Sequence, residues 1–281
     1  MHIAKNQQLF LNRSLKSNGI IDEFIKSSYV FTSSGKMAIE LALQYYNLKP
    51  EDNVWIVTTS GNKYISGCVT KAIEKHCNWS RVYMENTKVI FVNHEFGYPF
   101  TNFRDLSIYN LPIIEDVAHS FFSSDGESTT LSGDFVIYSL PKYFPVQFGG
   151  IIKINNGVKI QSDLHEDSEK YLKAILEYYL QDADEIKSKR LKNYHYYKDL
   201  FSTVGATPHF EIENGIIPGV FMFNTPDIDG SSLKKYMQGN GVESSVFYGR
   251  EAFFVPINQM LEYEHLEFIF SLYQIFLDGN L

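Results

Sequence analysis

The chain has 281 residues, 44% hydrophobic and 15% aromatic, a composition that supplies a packed core and excludes an intrinsically disordered protein. A formal net charge of −8 argues against a binder of nucleic-acid backbone, which needs a basic stripe, but not against a small anionic ligand held by local cations or a helix N-terminus. Cys68 and Cys77 cannot build a disulfide framework and suit a reducing, cytoplasmic setting.

Residues 1–18 are polar, carry Lys5, Arg13 and Lys16, and lack an apolar stretch of signal-peptide length. No run approaches the roughly 18 apolar residues of a membrane span, so no membrane partner is expected. Residues 33–46 predict a largely buried helix through Met37, Ile39, Leu41, Ala42 and Leu43. Its start, Thr32-Ser33-Ser34-Gly35, is the kind of helix opening that binds anions. Val54-Trp55-Ile56-Val57 then reads as a strand, followed by a Thr/Ser/Gly loop and a helix over residues 64–76. Asn78-Trp79-Ser80 has the form of a glycosylation acceptor, which a cytoplasmic protein does not use. His76 beside Cys77 lacks the further ligands of a zinc site, and no metal is expected.

Val89-Ile90-Phe91-Val92 and Pro112-Ile113-Ile114 are two more short strands, ending at Asn93-His94 and Glu115-Asp116. Ligands of open α/β sheets sit at such carboxyl ends. Residues 135–138 and 151–154 predict a further pair of strands, candidates for antiparallel neighbours, flanking a loop with Lys142, Gly149 and Gly150. Residues 163–203 read as helical, with Leu172, Ile175, Leu176, Leu180, Ile186, Leu191 and Leu200 at roughly helical spacing. A strand over 220–224 and helices over 231–240 and 262–277 complete the chain. The aromatic group Tyr194, Tyr196, Tyr197 and Phe201 fits packing or a dimer surface better than base stacking in so acidic a chain.

A Ser-Gly helix start, an Asp at a strand end and a Lys in a loop closed by Gly-Gly are the three parts that pyridoxal 5'-phosphate (PLP) requires: a phosphate cradle, a carboxylate for the ring nitrogen and an amine. Each is weak alone; Lys142 by itself would be an ordinary loop lysine. Several segments match a known pattern. They are Thr32-Ser33-Ser34-Gly35-Lys36-Met37-Ala38, His94-Glu95-Phe96-Gly97-Tyr98-Pro99, Leu111-Pro112-Ile113-Ile114-Glu115-Asp116-Val117-Ala118-His119, and the landmarks Gly133-Asp134, Ser139, Lys142 and Gly149-Gly150. In this order they resemble the DegT/StrS-like nucleotide-sugar aminotransferases, and Val255-Pro256-Ile257-Asn258 echoes that family's C-terminal region.

The resemblance implies an α/β chain with the three-layer PLP-dependent transferase fold type I, a mostly parallel central sheet and a small α+β C-terminal subdomain. Residues 1–190 would form the cofactor-binding domain, with landmarks over 32–150 and connecting helices from residue 163, and residues 191–281 the subdomain. It implies that Lys142 is the catalytic, cofactor-bearing lysine, that Asp116 pairs with the pyridine nitrogen and that His119 lies beside the ring's phenolic oxygen. Ser34, Gly35 and Ser139 would hold the phosphate. Lys36 stands where the family has Thr, a cation in place of a hydroxyl. Tyr64 is the aromatic nearest to the family's ring stacker, whose counted position is Asn62. His94 is ambiguous between the site and loop packing. Lys142 lies two residues closer to Asp134 than in the family, the stretch between Ala72 and Lys88 is short, and the Asn-Tyr-Arg block after Gly150 is missing.

The implied activity is transamination of a nucleotide-linked keto-sugar by an amino-acid donor such as glutamate, in glycan or natural-product biosynthesis, by a homodimer. The departures leave two alternatives: a catalytically degenerate relative kept for binding or regulation, and a PLP enzyme of another reaction. Retention of Lys142 disfavours the dehydratases that carry His instead.

Overall fold

The computed structural model describes residues 19–123 and 131–279. The polar stretch 1–18 lies outside the described residues. Two sheets organise the chain. The first has seven strands: β1 (Ser28–Thr32), β2 (Asn53–Thr58), β3 (Asn78–Ser80), β4 (Thr87–Asn93), β5 (Ile113–Asp116), β6 (Phe135–Ser139) and β7 (Gly150–Ile154). Their spatial order is β1-β7-β6-β5-β4-β2-β3. The run from β6 to β3 is parallel, and β7 lies antiparallel between β6 and β1. The central sheet is thus mostly parallel, as expected for the PLP fold type I, and the antiparallel pairing of the strands flanking Lys142 is confirmed.

Strand alternation sends successive side chains to opposite faces. On one face Val54, Ile56, Val89, Phe91, Ile114, Phe135 and Ile137 pack against helices α2 (Gly35–Tyr45) and α3 (Gly67–Ile73). On the other, Val136, Tyr138 and Ile151 meet Leu172, Ile175 and Leu176 of a long helix, α5 (Glu166–Leu180), and Ile21 and Ile25 of α1 (Ile20–Ile25). Farther along that face, Ile90 and Val92 pack on Leu106 of α4 (Phe103–Ser107). Helices on both faces make three layers.

The second sheet is antiparallel, with β8 (Val220–Asn224), β9 (Ser245–Val246) and β10 (Ala252–Pro256) in the order β8-β10-β9. It shares an aromatic core with α6 (Ala183–Ser202), α7 (Gly230–Gly239) and α8 (Tyr263–Leu277), in which Phe201 contacts the rings of Phe221, Phe223, Phe270 and Tyr273. Tyr194 and Tyr197 are buried there, so their role is packing.

Two elements differ from the sequence reading. The helix expected over 64–76 is only Gly67–Ile73, because Asn62 Oδ1 accepts from Tyr64 N at 3.3 Å and holds that residue in the loop, while Ser66 caps the helix. The helical stretch expected over 163–203 is two helices, interrupted where Asp182 leaves helical geometry at φ −104°, ψ 21°. Among the described residues no helix is long and apolar enough to cross a membrane.

Candidate active site

The parallel register aligns Thr58, Asn93 and Asp116 at the carboxyl ends of β2, β4 and β5, and Asp116 with Ile137 two residues before the end of β6. All of them, and Ser139, share the strand parity of the residues that face α2 and α3. A row of polar side chains is thereby brought to one edge and one face.

Helix α2 starts against this row. Ser34 is its N-cap, with Oγ accepting from Met37 N at 3.1 Å, and Ser34 O accepts from Ala38 N at 3.0 Å. The N–H groups of Gly35 and Lys36 precede the first intrahelical bond and, with the helix dipole, favour an anion. A Cβ on Gly35 would lie 3.0 Å from Ser139 Cβ and 3.3 Å from Ser139 Oγ, so the absent side chain lets the helix start pack directly against the end of β6. Gly150 packs flush against the same helix start: a Cβ there would sit 2.6 Å from the carbonyl carbon of Ser34 and 2.7 Å from Gly35 N, so only a glycine fits. Gly149, at φ +114°, donates its N–H to Ser33 O at 2.9 Å and turns the chain into β7. Gly35, Ser34, Ser139 and the Gly-Gly pair thus converge.

Lys36 follows another course. Its ammonium runs along the helix to Glu40 Oε1 at 3.9 Å, and Glu40 is held more closely by Lys75 at 2.7 Å.

Asp116 is buried at the end of β5. Oδ1 accepts from Ala118 N at 2.9 Å and Oδ2 from Asn93 Nδ2 at 3.0 Å. Burial raises its pKa above the ordinary carboxylate range; those two hydrogen bonds and the charge of Lys142 act in the opposite sense. Lys142, half-buried, ends a 3-10 turn (Leu140–Lys142) that directly follows β6 and lies within electrostatic reach of Asp116. Leu140 N bonds to Gly149 O at 3.1 Å, which closes the lysine turn onto the glycine pair.

His119 follows the same strand end, its ring 5.0 Å from that of Phe96. Its carbonyl accepts from Tyr143 Oη at 2.5 Å. Sequence reasoning missed Tyr143, whose only signal was its place beside Lys142. Its backbone carbonyl accepts from Gln259 Nε2 at 3.0 Å, and its ring stacks 4.4 Å from the buried Arg190 guanidinium. Burial lowers the Arg190 pKa to about 10.

Tyr64 is 48% exposed and lies 5.1 Å from the ring of Tyr248. Asn62, at the counted stacker position, is buried and donates to Tyr248 O at 2.7 Å, so it ties its loop to the C-terminal sheet. His94 lies on the far side of the sheet end. Nδ1 accepts from Phe100 N at 3.1 Å, so Nε2 carries the ring proton and donates to Glu115 Oε2 at 3.0 Å. Gly133-Asp134 proves to be a stitch between strands, with Glu115 Oε1 accepting from Gly133 N and Asp134 Oδ2 from Ile113 N.

These residues fit PLP chemically. Each Asp116 oxygen has one neutral donor and retains acceptor capacity for a ring N–H, whose positive charge would offset the burial. The backbone N–H groups of Gly35 and Lys36 at the start of α2, beside Ser139, suit a phosphate.

A family model described as "Putative PLP-dependent aminotransferase" matches residues 16–212. No curated protein matches. Solved structures share the fold at low identity. The aminotransferase TlmJ from Streptoalloteichus hindustanus is 14% identical at a TM-score of 0.74, over 93% of this chain and 89% of its own. A DegT DnrJ EryC1 StrS aminotransferase from Brucella abortus is 13% identical at a TM-score of 0.72, over 92% and 88%. The PLP form of a "Putative sugar aminotransferase", Spr1654 from Streptococcus pneumoniae, is 12% identical at a TM-score of 0.70, over 96% and 94%. With the family model covering most of its length and the fold shared nearly end to end, the chain belongs to the PLP-dependent aminotransferases.

Proposed function

We propose that the protein transaminates a nucleotide-linked keto-sugar with an amino acid such as glutamate as donor, in glycan or natural-product biosynthesis, and that it works in the cytoplasm as a homodimer. The observation that carries the cofactor part of this reading is Asp116: a buried carboxylate, hydrogen-bonded among the described residues by neutral groups and within electrostatic reach of Lys142. The sugar is supported by the fold shared with a neighbour described as a sugar aminotransferase.

Bound at this site, the cofactor supplies an electron sink at its protonated ring nitrogen. Asp116 holds that nitrogen's proton. Ser34, Gly35 and Ser139 bind the phosphate at the start of α2, and His119 orients the ring from beside its phenolic oxygen. Lys142 Nζ would carry the cofactor in the resting protein and, as a free amine once the substrate's amine has displaced it, would move a proton at the amine-bearing carbon of the substrate. Lys36 and Tyr64 stand at the margin of this arrangement: a cation that reaches the phosphate only by leaving Glu40, and an aromatic paired with Tyr248. The cofactor-binding domain over 1–190 and the subdomain over 191–281 belong to the same reading, with α6 spanning the division.

The test is the absorbance spectrum of the protein with PLP, compared with Lys142→Ala, before and after glutamate. A visible band that requires Lys142 and bleaches with glutamate is the expected result. A band that persists in Lys142→Ala overturns the assignment of Lys142, and a protein that gives no visible band with PLP is a fold kept for binding.

A further inference from the structure

Asn93 belongs to none of the motifs that carry the family resemblance, yet it is the side chain that meets Asp116. It ends β4 directly opposite Asp116 in the parallel register, and the pairing is fixed from both sides: His94 N donates to Asp116 O at 3.0 Å, and Thr59 N donates to Asn93 O at 3.3 Å. The Asn93 carboxamide therefore has little freedom to turn away. Its nitrogen, not its oxygen, must face the carboxylate, because two acceptors cannot bond each other.

The donors on Asp116 are divided evenly, Ala118 N on Oδ1 and Asn93 Nδ2 on Oδ2. The backbone donor comes with the turn after β5 and survives any side-chain change. The adjacent His94 does not replace Asn93, since its Nε2 proton is committed to Glu115 on the other face of the sheet. Lys142 acts on Asp116 through space and is itself the residue assigned to carry the cofactor. Asn93 is thus the one side chain in hydrogen-bond contact with Asp116 among the described residues.

We propose that Asn93 is a positioning residue for the cofactor: its carboxamide fixes Asp116 Oδ2 at the strand edge and keeps that carboxyl ionised to receive the ring N–H. The inference rests on the reading of Asp116 as the partner of the pyridine nitrogen.

The experiment is a titration of the apoprotein with PLP as a function of pH, following the Lys142-dependent band, for the wild type, Asn93→Ala, Asn93→Asp, Asp116→Asn and the double variant Asn93→Ala/Asp116→Asn. Circular dichroism checks that each is folded. Loss of one hydrogen bond to a charged group corresponds to about a tenfold weaker dissociation constant for Asn93→Ala. The near-isosteric Asn93→Asp places a second carboxyl against the first. Affinity then falls at neutral pH and recovers as the pH is lowered and the pair takes up a shared proton. In the Asp116→Asn background the Asn93→Ala change has less than about a twofold effect, because the group it acts through is gone.

Equal effects of Asn93→Ala in both backgrounds, or an Asn93→Asp variant that titrates as the wild type, overturn the inference and leave the cofactor assignment standing. A wild type with no Lys142-dependent band overturns both.

Discussion

Glu115 and Asp116 are neighbours on one strand, equally buried, and their side chains face opposite layers of the molecule. On the Glu115 side both oxygens are engaged, one by His94 Nε2 at 3.0 Å and the other by Gly133 N at 2.6 Å. The space around it is closed as well, since a Cβ on Gly133 would lie 2.9 Å from Ile113 O and 3.0 Å from Glu115 Cγ. On the Asp116 side two neutral donors leave acceptor capacity unused, and the start of α2, Ser139 and Lys142 converge toward the same strand edge. Burial alone therefore does not distinguish a stitch from a site; how completely the carboxylate is partnered, and by what, does.

The largest effect is expected from Glu115→Leu. If Glu115 is a stitch, its loss leaves the Gly133 N–H and the His94 ring without their acceptor and costs about 3–5 kcal/mol of stability in urea unfolding. A cost below about 1 kcal/mol would mean that the Glu115 side is not structural.

Asp116→Asn has the opposite sign. Because the folded protein raises this pKa, the contribution of Asp116 to stability is full below the ordinary carboxylate range and is lost as pH rises through the folded value. The apoprotein of Asp116→Asn is therefore more stable than the wild type at neutral and alkaline pH, and the gap closes on acidification. Thermal unfolding across pH reads both the sign and the closure, and a variant less stable at high pH contradicts the reading of Asp116 as strained by burial.

The smallest effect is expected from Lys36→Thr, which restores the family's hydroxyl. Lys36 is partly exposed and lies 3.9 Å from a Glu40 already held by Lys75, so the change costs less than about 0.5 kcal/mol of stability. A PLP titration shows whether the cation or the hydroxyl serves the phosphate better; a large stability loss would instead make Lys36 part of the frame.

Much of this architecture is legible in the sequence because it depends on local chemistry. Ser34 caps a helix whose apolar stripe is continuous, and the apolar runs that became β2, β4, β5, β6 and β7 end at polar residues that the sheet then aligns. What escaped depends on register and on distant partners. Asn93 is legible in the sequence as the end of a strand on the ligand-bearing edge, but only the pairing of β4 with β5 shows that it meets Asp116. Asn62 was counted as a misplaced stacker, but its side chain reaches Tyr248, 186 positions away. Strand β1 is five residues long and half-exposed, and it becomes a strand because β7 returns to pair with it.

That return has a consequence for how the protein is made. Gly150 lies flush against Ser34 and Gly35 only when β7 is seated between β1 and β6, contacts that span more than a hundred residues of chain. Such long-range pairings form late, because the intervening loop must be closed before any contact compensates for it. A growing chain that has just emerged past Asp116 and α2 already possesses the carboxylate and the helix start, yet it has no finished cradle. The helix start proposed to hold the phosphate is seated by the strand that follows the lysine turn, so on that proposal the site is complete only once β7 is in place.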